Sequence, residues 1–296
     1  MYDKDIENII VKMSIFEKAF DSIRLIDPVK RNVLNLKEDL VIDTNTNCFE
    51  SWDKKTVCEN CVAMRAFRDN DTFVKIDYSS EEIYIVTAIP VEIGDRVIVM
   101  ELIKKATNSI TFGSDQKELS ADIHSMIDKL NNIALKDSLT GIYNRRYINE
   151  RLPVDLLNEE LSGQSISVIM ADLDLFKNVN DNYGHLAGDY TLANFAKLLH
   201  QELKRENDWV ARYGGEEFLV CMPGANLQLA KDTAERMRKA LEEKEMEFGD
   251  YKFKITASFG VYSVAPGMNA SMDEVVEHAD KMLYFAKRNG RNRVEG

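Results

Sequence analysis

The chain is poor in what would tie it to a membrane, a nucleic-acid backbone or an oxidising compartment. No apolar run in its 296 residues approaches the roughly 18 that a membrane helix needs. Basic residues are outnumbered, 38 Lys and Arg against 50 Asp and Glu, for a formal charge of -12. A chain without a basic excess lacks the face that broad binding to nucleic acid requires, although a local basic or cation-filled pocket stays compatible with it. Four cysteines over this length do not make a disulfide framework. The start, MYDKDIENIIVKM, is acidic where a signal peptide would be basic. The expectation is a cytoplasmic protein with no membrane span and no nucleic-acid partner. What is present, 45% hydrophobic and 30% charged residues, is too apolar for disorder and sufficient for two domains with their own cores.

The first third alternates between patterns. Ile6, Ile9, Ile10, Met13, Phe16 and Phe20 recur at three-and-four spacing, which predicts an amphipathic helix over residues 3 to 20. Short β-rich runs follow: SIRLID, RNVLNL, TFVKIDY, EEIYIVTAIPVEI and DRVIVMELIKK, the last two separated by Gly94-Asp95 as in an antiparallel hairpin. A partly helical stretch is expected at about residues 48 to 70. A helix followed by a small antiparallel sheet with such an insertion resembles a PAS-type sensory domain, assigned here to residues 1 to 113, with an unknown sensory ligand.

From Ser114 the composition turns polar with a regular apolar seam. Leu119, Ile123, Met126, Leu130 and Ile133 alternate four and three residues apart, a heptad repeat. Residues 114 to 136 therefore read as a helical linker, either a parallel dimer stalk or a helix lying on its own domain. Residues 137 to 296 then read β-α-β-β-α-β plus a final helix: ISVIMADLD, TLANFAKLLHQELK, DWVARY, EEFLVCM, LAKDTAERMRKALEE, FKITASFGVYS and VVEHADKMLYFAKRNG. That order is α+β and ferredoxin-like, with a four- or five-stranded antiparallel sheet and helices packed on it.

Within this order the hairpin carrying ARYGGEEFLV lies beside the first strand, which ends in Asp172 and Asp174. The Gly-Gly step is a hairpin signal. Its two glutamates are either solvated surface acids or part of a carboxylate cluster at adjacent strand ends, which would repel itself unless a cation sits between its members. Magnesium suits such a cluster, being a hard ion that takes oxygen ligands and shares them with substrate phosphates. Gly214 and Gly215, without side chains, leave room for a nucleotide to approach the hairpin.

Here the motifs become specific. RYGGEEF matches the signature of the GGDEF family, the diguanylate cyclases, in its Glu-for-Asp form. KDSLTGIYNRRY resembles that family's opening motif, DLDLFKNVNDNYGHLAGD its metal-and-guanine segment, ITASFGV its fourth strand and ADKMLYFAKRNGRNRV its closing helix. The resemblance implies a palm domain, similar to that of nucleotidyl cyclases, that binds one GTP and pairs as a homodimer to make cyclic di-GMP and two pyrophosphates. It implies Mg2+ or Mn2+, two per active site, on Asp172, Glu217 and the Leu173 carbonyl, with Glu216 as a further ligand or as the base for the 3′-hydroxyl. Asn180 and Asp189 stand where the family reads guanine. Lys177, Lys287 and Arg291 stand at the phosphates, and Phe176 and His185 fall in the same substrate segment. Arg205 and Asp208, an R-x-x-D upstream of the glycines, stand where the family carries an inhibitory site for its product, with Arg236 as a secondary contact.

Simpler readings accompany these. Asp174 is either a member of the cluster or a residue that caps the turn and structures the loop. His185 opens a helix without a second histidine nearby and reads as a loop-fixing or capping residue rather than a metal ligand. Lys287 and Arg291 near a helix end also complement its dipole, and Arg205 with Asp208 also reads as an exposed ion pair. Cys48, Cys58 and Cys61, in NCFESWDKKTVCENC, are open between a zinc or iron–sulfur site lacking a fourth protein ligand, a redox pair, and buried thiols; Cys221 reads as core. A catalytically silent module that holds GTP or cyclic di-GMP is the alternative to an enzyme. A cyclase with mixed-dinucleotide or mononucleotide products is a third reading.

Overall fold

The computed structural model describes residues 19–37, 40–52, 58, 61–79, 82–93, 96–106 and 135–296. The chain divides into two compact units, Met1–Leu130 and Asn131–Gly296. Residues 3–18 of the expected N-terminal helix, and the expected linker up to residue 134, lie outside the described residues.

The first unit is built on β1 (Ser22–Asp27), β2 (Asn32–Lys37), β3 (Leu40–Asn47), β4 (Phe73–Ser79), β5 (Glu82–Ile93) and β6 (Arg96–Lys105). They form one antiparallel sheet in the order β3-β2-β1-β6-β5-β4. The β5–β6 ladder closes at Ile93 opposite Arg96, as expected for two strands of an antiparallel hairpin, and residues 94–95 lie outside the described residues. Strand β3 is additional to the strands expected from sequence, because LVIDTNTN is too polar to stand out as one. A 3-10 turn at Glu50–Trp52 and α1 (Val62–Asp69) occupy the expected helical stretch. Neighbours on a strand face opposite sides, and here both sides are apolar. Ile26, Val86, Ala88, Val99 and Ile103 pack with Trp52 and α1. Leu25, Leu34, Ile98, Met100 and Leu102 form a separate cluster.

The second unit contains α2 (Arg145–Ser162), β7 (Ile166–Leu173), α3 (Phe176–Tyr183), α4 (His185–Glu202), β8 (Trp209–Gly214), β9 (Glu217–Pro223), α5 (Leu227–Glu243), β10 (Met246–Phe248), β11 (Tyr251–Phe253), β12 (Ala257–Val264), α6 (Met272–Arg288) and β13 (Val294–Glu295). The sheet order is β13-β12-β7-β9-β8. Its four long strands are antiparallel in the ferredoxin-like order. The fifth, β13, is a two-residue edge strand that pairs parallel to β12, a departure from the all-antiparallel expectation. Helices cover both faces, which explains why ISVIMADL is a continuous apolar run and not an alternating one. Ile169, Ala171 and Leu173 belong to the core shared with α4 and α5, while Ile166, Val168 and Met170 belong to the core shared with α2 and α6.

One glycine sets how closely α6 lies on the sheet. A Cβ on Gly260, in β12, would collide with the backbone of Leu283 and Ala279 in α6. The helix is started by a full capping box between Ser271 and Glu274. Its last turn is thereby carried to the end of β7, where Asp172 sits.

Candidate active site

Strand register brings the carboxylates together. Asp172 is the Cα partner of Glu217 on one side and of Ser258 on the other. Because side chains alternate, Asp172 shares the face of Met170 and points toward α6. Its side chain is 5% exposed and its Oδ2 accepts from Lys287 Nζ at 2.8 Å. Burial pushes the Asp172 carboxyl above the usual range, against the pull of Lys287. Glu216 and Glu217 are raised as well, by burial first and by the Asp172 charge second.

The hairpin turn corrects one sequence detail. Gly214 is the last residue of β8 and pairs with Glu217, so the turn itself is Gly215 and Glu216. Only Gly215 of the two glycines has a positive φ, 54°. A Cβ at either glycine would meet open space, which keeps this edge accessible to a bulky group. Arg212 holds the turn by donating from Nε and Nη2 to the Gly215 carbonyl at 2.9 and 2.8 Å. Its Nη1 lies 3.2 Å from both oxygens of Asp137, which also accepts from Thr140 N and Oγ1. The opening motif thus braces the signature hairpin, a link that sequence reading did not find.

Asp174 is committed elsewhere. It accepts from Thr256 Oγ1 and Ser258 Oγ at 2.7 Å each and from Asn292 N at 3.0 Å. Three donors from two distant segments make it the tie between β7, β12 and the loop after α6. That loop contains Arg291, exposed and at a φ of 61°.

The segment after β7 turns at Leu175, a non-glycine residue in the left-handed region with φ 56°, and enters α3. Phe176 is 7% exposed and packed in the core rather than open to a ligand. Lys177, His185 and Asp189 are exposed. The residue capping α4 is Gly184, without a side-chain cap, so His185 is the first helical residue and not the cap. Gly188 was missed in the sequence although it precedes Asp189. A Cβ there would overlap Asn180 Oδ1, so the glycine seats the Asn180 side chain between α3 and α4.

A cleft of about 390 Å³ adjoins Glu217, floored by Ile148, Met170 and Val276 and edged by Arg145, Tyr213 and Asp280. The Arg145 guanidinium stacks 4.5 Å from the Tyr213 ring. Among the described residues, no three carboxylate, histidine or cysteine side chains are arranged to enclose a metal ion by themselves. The donors at the strand ends are nevertheless all hard oxygens, the set a small divalent cation takes when water and phosphate complete its shell.

Arg205 and Asp208 follow α4 in a loop rather than on the helix. Arg205 donates to the Pro223 carbonyl at 2.6 Å and approaches Asp208 at 3.7 Å. Asp208 is 2% exposed in its side chain, burial raises its pKa to about 6, and its Oδ1 lacks a hydrogen-bond partner. Arg236, on α5, donates to the Glu202 carbonyl at the end of α4. In the first unit, Cys48, Cys58 and Cys61 pack against the Trp52 cluster. Burial pushes Cys48 up to about 12 and also raises Cys61. Cys221 is buried in the second unit's core.

Residues 134–293 match the family described as "Diguanylate cyclase, GGDEF domain". Diguanylate cyclase A of Treponema denticola is 36% identical over 216 residues, 70% of this chain and 58% of its own length. Diguanylate cyclase VdcA of Vibrio cholerae is 41% identical over 175 residues, 58% of this chain and 50% of its own. The chain thus spans between half and three fifths of these two relatives. The coiled coil and GGDEF domain of DgcB from Caulobacter crescentus, solved with c-di-GMP, superposes with a TM-score of 0.56 at 28% identity, covering 60% of this chain and 93% of that one. No helix among the described residues is long and apolar enough to cross a membrane. With the matched segment covering more than half of its length, this chain belongs to the GGDEF-domain family.

Proposed function

We propose that the protein is a diguanylate cyclase that condenses two GTP into cyclic di-GMP and releases two pyrophosphates. The observation that carries this reading is the register pairing of Asp172 with Glu217, beside Glu216 and under Lys287. In each half-reaction the 3′-oxygen of one GTP forms a bond to the α-phosphorus of the other, and the bond to the β-phosphate oxygen breaks. Glu216, raised by burial and by the Asp172 charge, suits acceptance of the 3′-hydroxyl proton. Asn180 and Asp189 read the guanine edge. Lys177 at the start of α3, with Lys287 and Arg291, neutralises the triphosphate, aided by the helix N-terminus. Asp172, Glu217 and the Leu173 carbonyl would hold Mg2+ or Mn2+, two per site, with Glu216 serving either as that base or as a further ligand; the ions would supply Lewis-acid polarisation of the phosphoryl oxygens and stabilise the departing charge.

Each domain carries one half of the reaction, so the active form is a homodimer. Residues 114 to 136 join its halves to the sensory unit, whose sheet order supports the PAS-like reading of residues 1 to 113. Arg205 and the unpartnered oxygen of Asp208 support a product-inhibition site, with Arg236 as its secondary contact. The test is to incubate the full chain with GTP and Mg2+ and identify products by mass beside a Glu216→Gln variant. Cyclic di-GMP from the parent alone is expected. GTP binding without product from the full chain or from residues 137 to 296 on a forced dimer would favour a silent receptor instead.

A further inference from the structure

The ion pair at the centre of the site joins two residues that the cyclase reading needs for different ligands. Lys287 Nζ lies 2.8 Å from Asp172 Oδ2, with the carboxylate 5% exposed and the lysine side chain 34% exposed. Asp172, Glu216 and Glu217 bear on one another electrostatically, and Lys287 acts on all three. Asp280, two turns earlier on α6, adds its charge to Asp172 and Glu217. Such a set of carboxylates is held together only by a cation, and among the described residues the Lys287 ammonium is the cation paired with Asp172.

An ammonium hydrogen-bonded to Oδ2 and a divalent cation at about 2 Å from the same carboxylate compete for the same charge. A lysine can yield. Its charge sits on a flexible four-carbon stem, and here one side of that stem faces solvent. The helix beneath it cannot yield in the same way, because Gly260 seats α6 against β12 without space for a shift toward the sheet. Exchange is therefore a side-chain movement over a fixed backbone. Leaving Asp172 is costly for Lys287 unless another anion receives it, and the phosphates of the nucleotide are that anion.

Resting on the cyclase reading, we propose that Lys287 is the resident counter-ion of the unloaded site and couples the binding of nucleotide and divalent cation. Without nucleotide it neutralises Asp172 and holds the cation's affinity down. With nucleotide it moves to the phosphates, and Asp172 becomes available. Lys287 is thus a positioning residue for the carboxylate as well as a phosphate contact. Because linkage is reciprocal, the cation tightens the nucleotide by the factor by which the nucleotide tightens the cation.

The experiment titrates Mn2+ into the full chain at pH 8, following free Mn2+ by its paramagnetic resonance signal, for the parent, Lys287→Met and Lys287→Arg. Each is measured alone and with a non-hydrolysable GTP analogue, with the analogue's own Mn2+ affinity subtracted. Removing the competing charge is expected to tighten Mn2+ binding in the absence of nucleotide by about fivefold or more, the lower end of ordinary coupling. It should also shrink the further tightening that the analogue produces, and Lys287→Arg should keep parental weakness. Equal or weaker binding by Lys287→Met, with its melting curve intact, overturns the proposal while leaving the cyclase reading in place. If Lys287→Met does not fold, Lys287→Gln gives the same comparison. Failure of the parent to bind Mn2+ even with the analogue overturns the cyclase reading, and this proposal with it.

Discussion

Each of the two units sets a cation against a buried acid on one of its strands, and the two pairs are built differently. In the first unit Arg24 and Glu101 are cross-strand partners, joined at 2.6 Å with side chains 10% and 7% exposed. Arg24 also donates to the Cys48 carbonyl and stacks 5.0 Å from the Trp52 ring. A planar fork with several partners is fixed in place. In the second unit Asp172 meets a lysine at the end of a long stem, one third exposed. The first arrangement holds a sheet together, whereas the second holds a charge that can be exchanged.

The sharpest way to break the comparison is to neutralise the acid in each pair. Asp172→Asn is expected to lower cyclic di-GMP formation by about a thousandfold with little loss of thermal stability, since it removes a carboxylate from a mutually repelling set. Glu101→Gln should leave catalytic-domain turnover per folded molecule near the parent's. It should cost about 3 kcal/mol of stability by strandng the buried Arg24 charge, read as a lower denaturant midpoint of the first unit. Similar outcomes for the two variants would remove the distinction.

Gly260→Ala tests whether the exchangeable pair needs its rigid backing. The new methyl group meets backbone, not a movable side chain, so a stability loss of about 1–3 kcal/mol is expected. Turnover should fall with it, as the Lys287 end of α6 is lifted from Asp172. Gly188→Ala should be milder and more selective. It displaces chiefly the Asn180 amide and crowds the tip of the Phe176 ring, so KM for GTP is expected to rise about tenfold with kcat changing less, measured by initial rates.

The smallest effect concerns Asp208, a buried acid of a third kind, with a cation at 3.7 Å and an oxygen that receives no hydrogen bond. Folding raises its pKa from 3.8 to about 6, so the native state holds this proton more tightly than the unfolded chain does. The stability it contributes is complete below the unfolded value and is lost as pH rises through about 6. Asp208→Asn should flatten that part of the stability–pH curve and be more stable than the parent at pH 8 by about 1 kcal/mol. A curve unchanged between pH 4 and 7 would count against the assignment.

Much of the GGDEF domain was legible because its information is local. The run ISVIMADL, the Gly-Gly-Glu-Glu hairpin and the helical spacing of VVEHADKMLYFAKR each announce an element. The motif order then places Asp172 beside Glu217. The parts that escaped are non-local. The demand for glycine at position 260 comes from a helix that begins twelve residues later, and the demand at 188 comes from an amide on the preceding helix. Strand β13 is two residues long and has no period to read, and β10 and β11, at three residues each, are no clearer. Asp174 reads in sequence either as a fourth member of the acidic set or as a turn cap, and only its three donors reveal a tie between segments.

The sequence by itself determined the family, the strand order of the GGDEF domain and the residue types at its site, because hydrophobic period, turn chemistry and a run of motifs are properties of neighbouring residues. Tertiary structure alone decided which charges neutralise which. Arg212 reaching Asp137, Arg24 facing Glu101 and Lys287 resting on Asp172 are contacts across 75, 77 and 115 residues. A side chain's partner over such distances is set by how sheets and helices pack, and nothing in the local sequence encodes it.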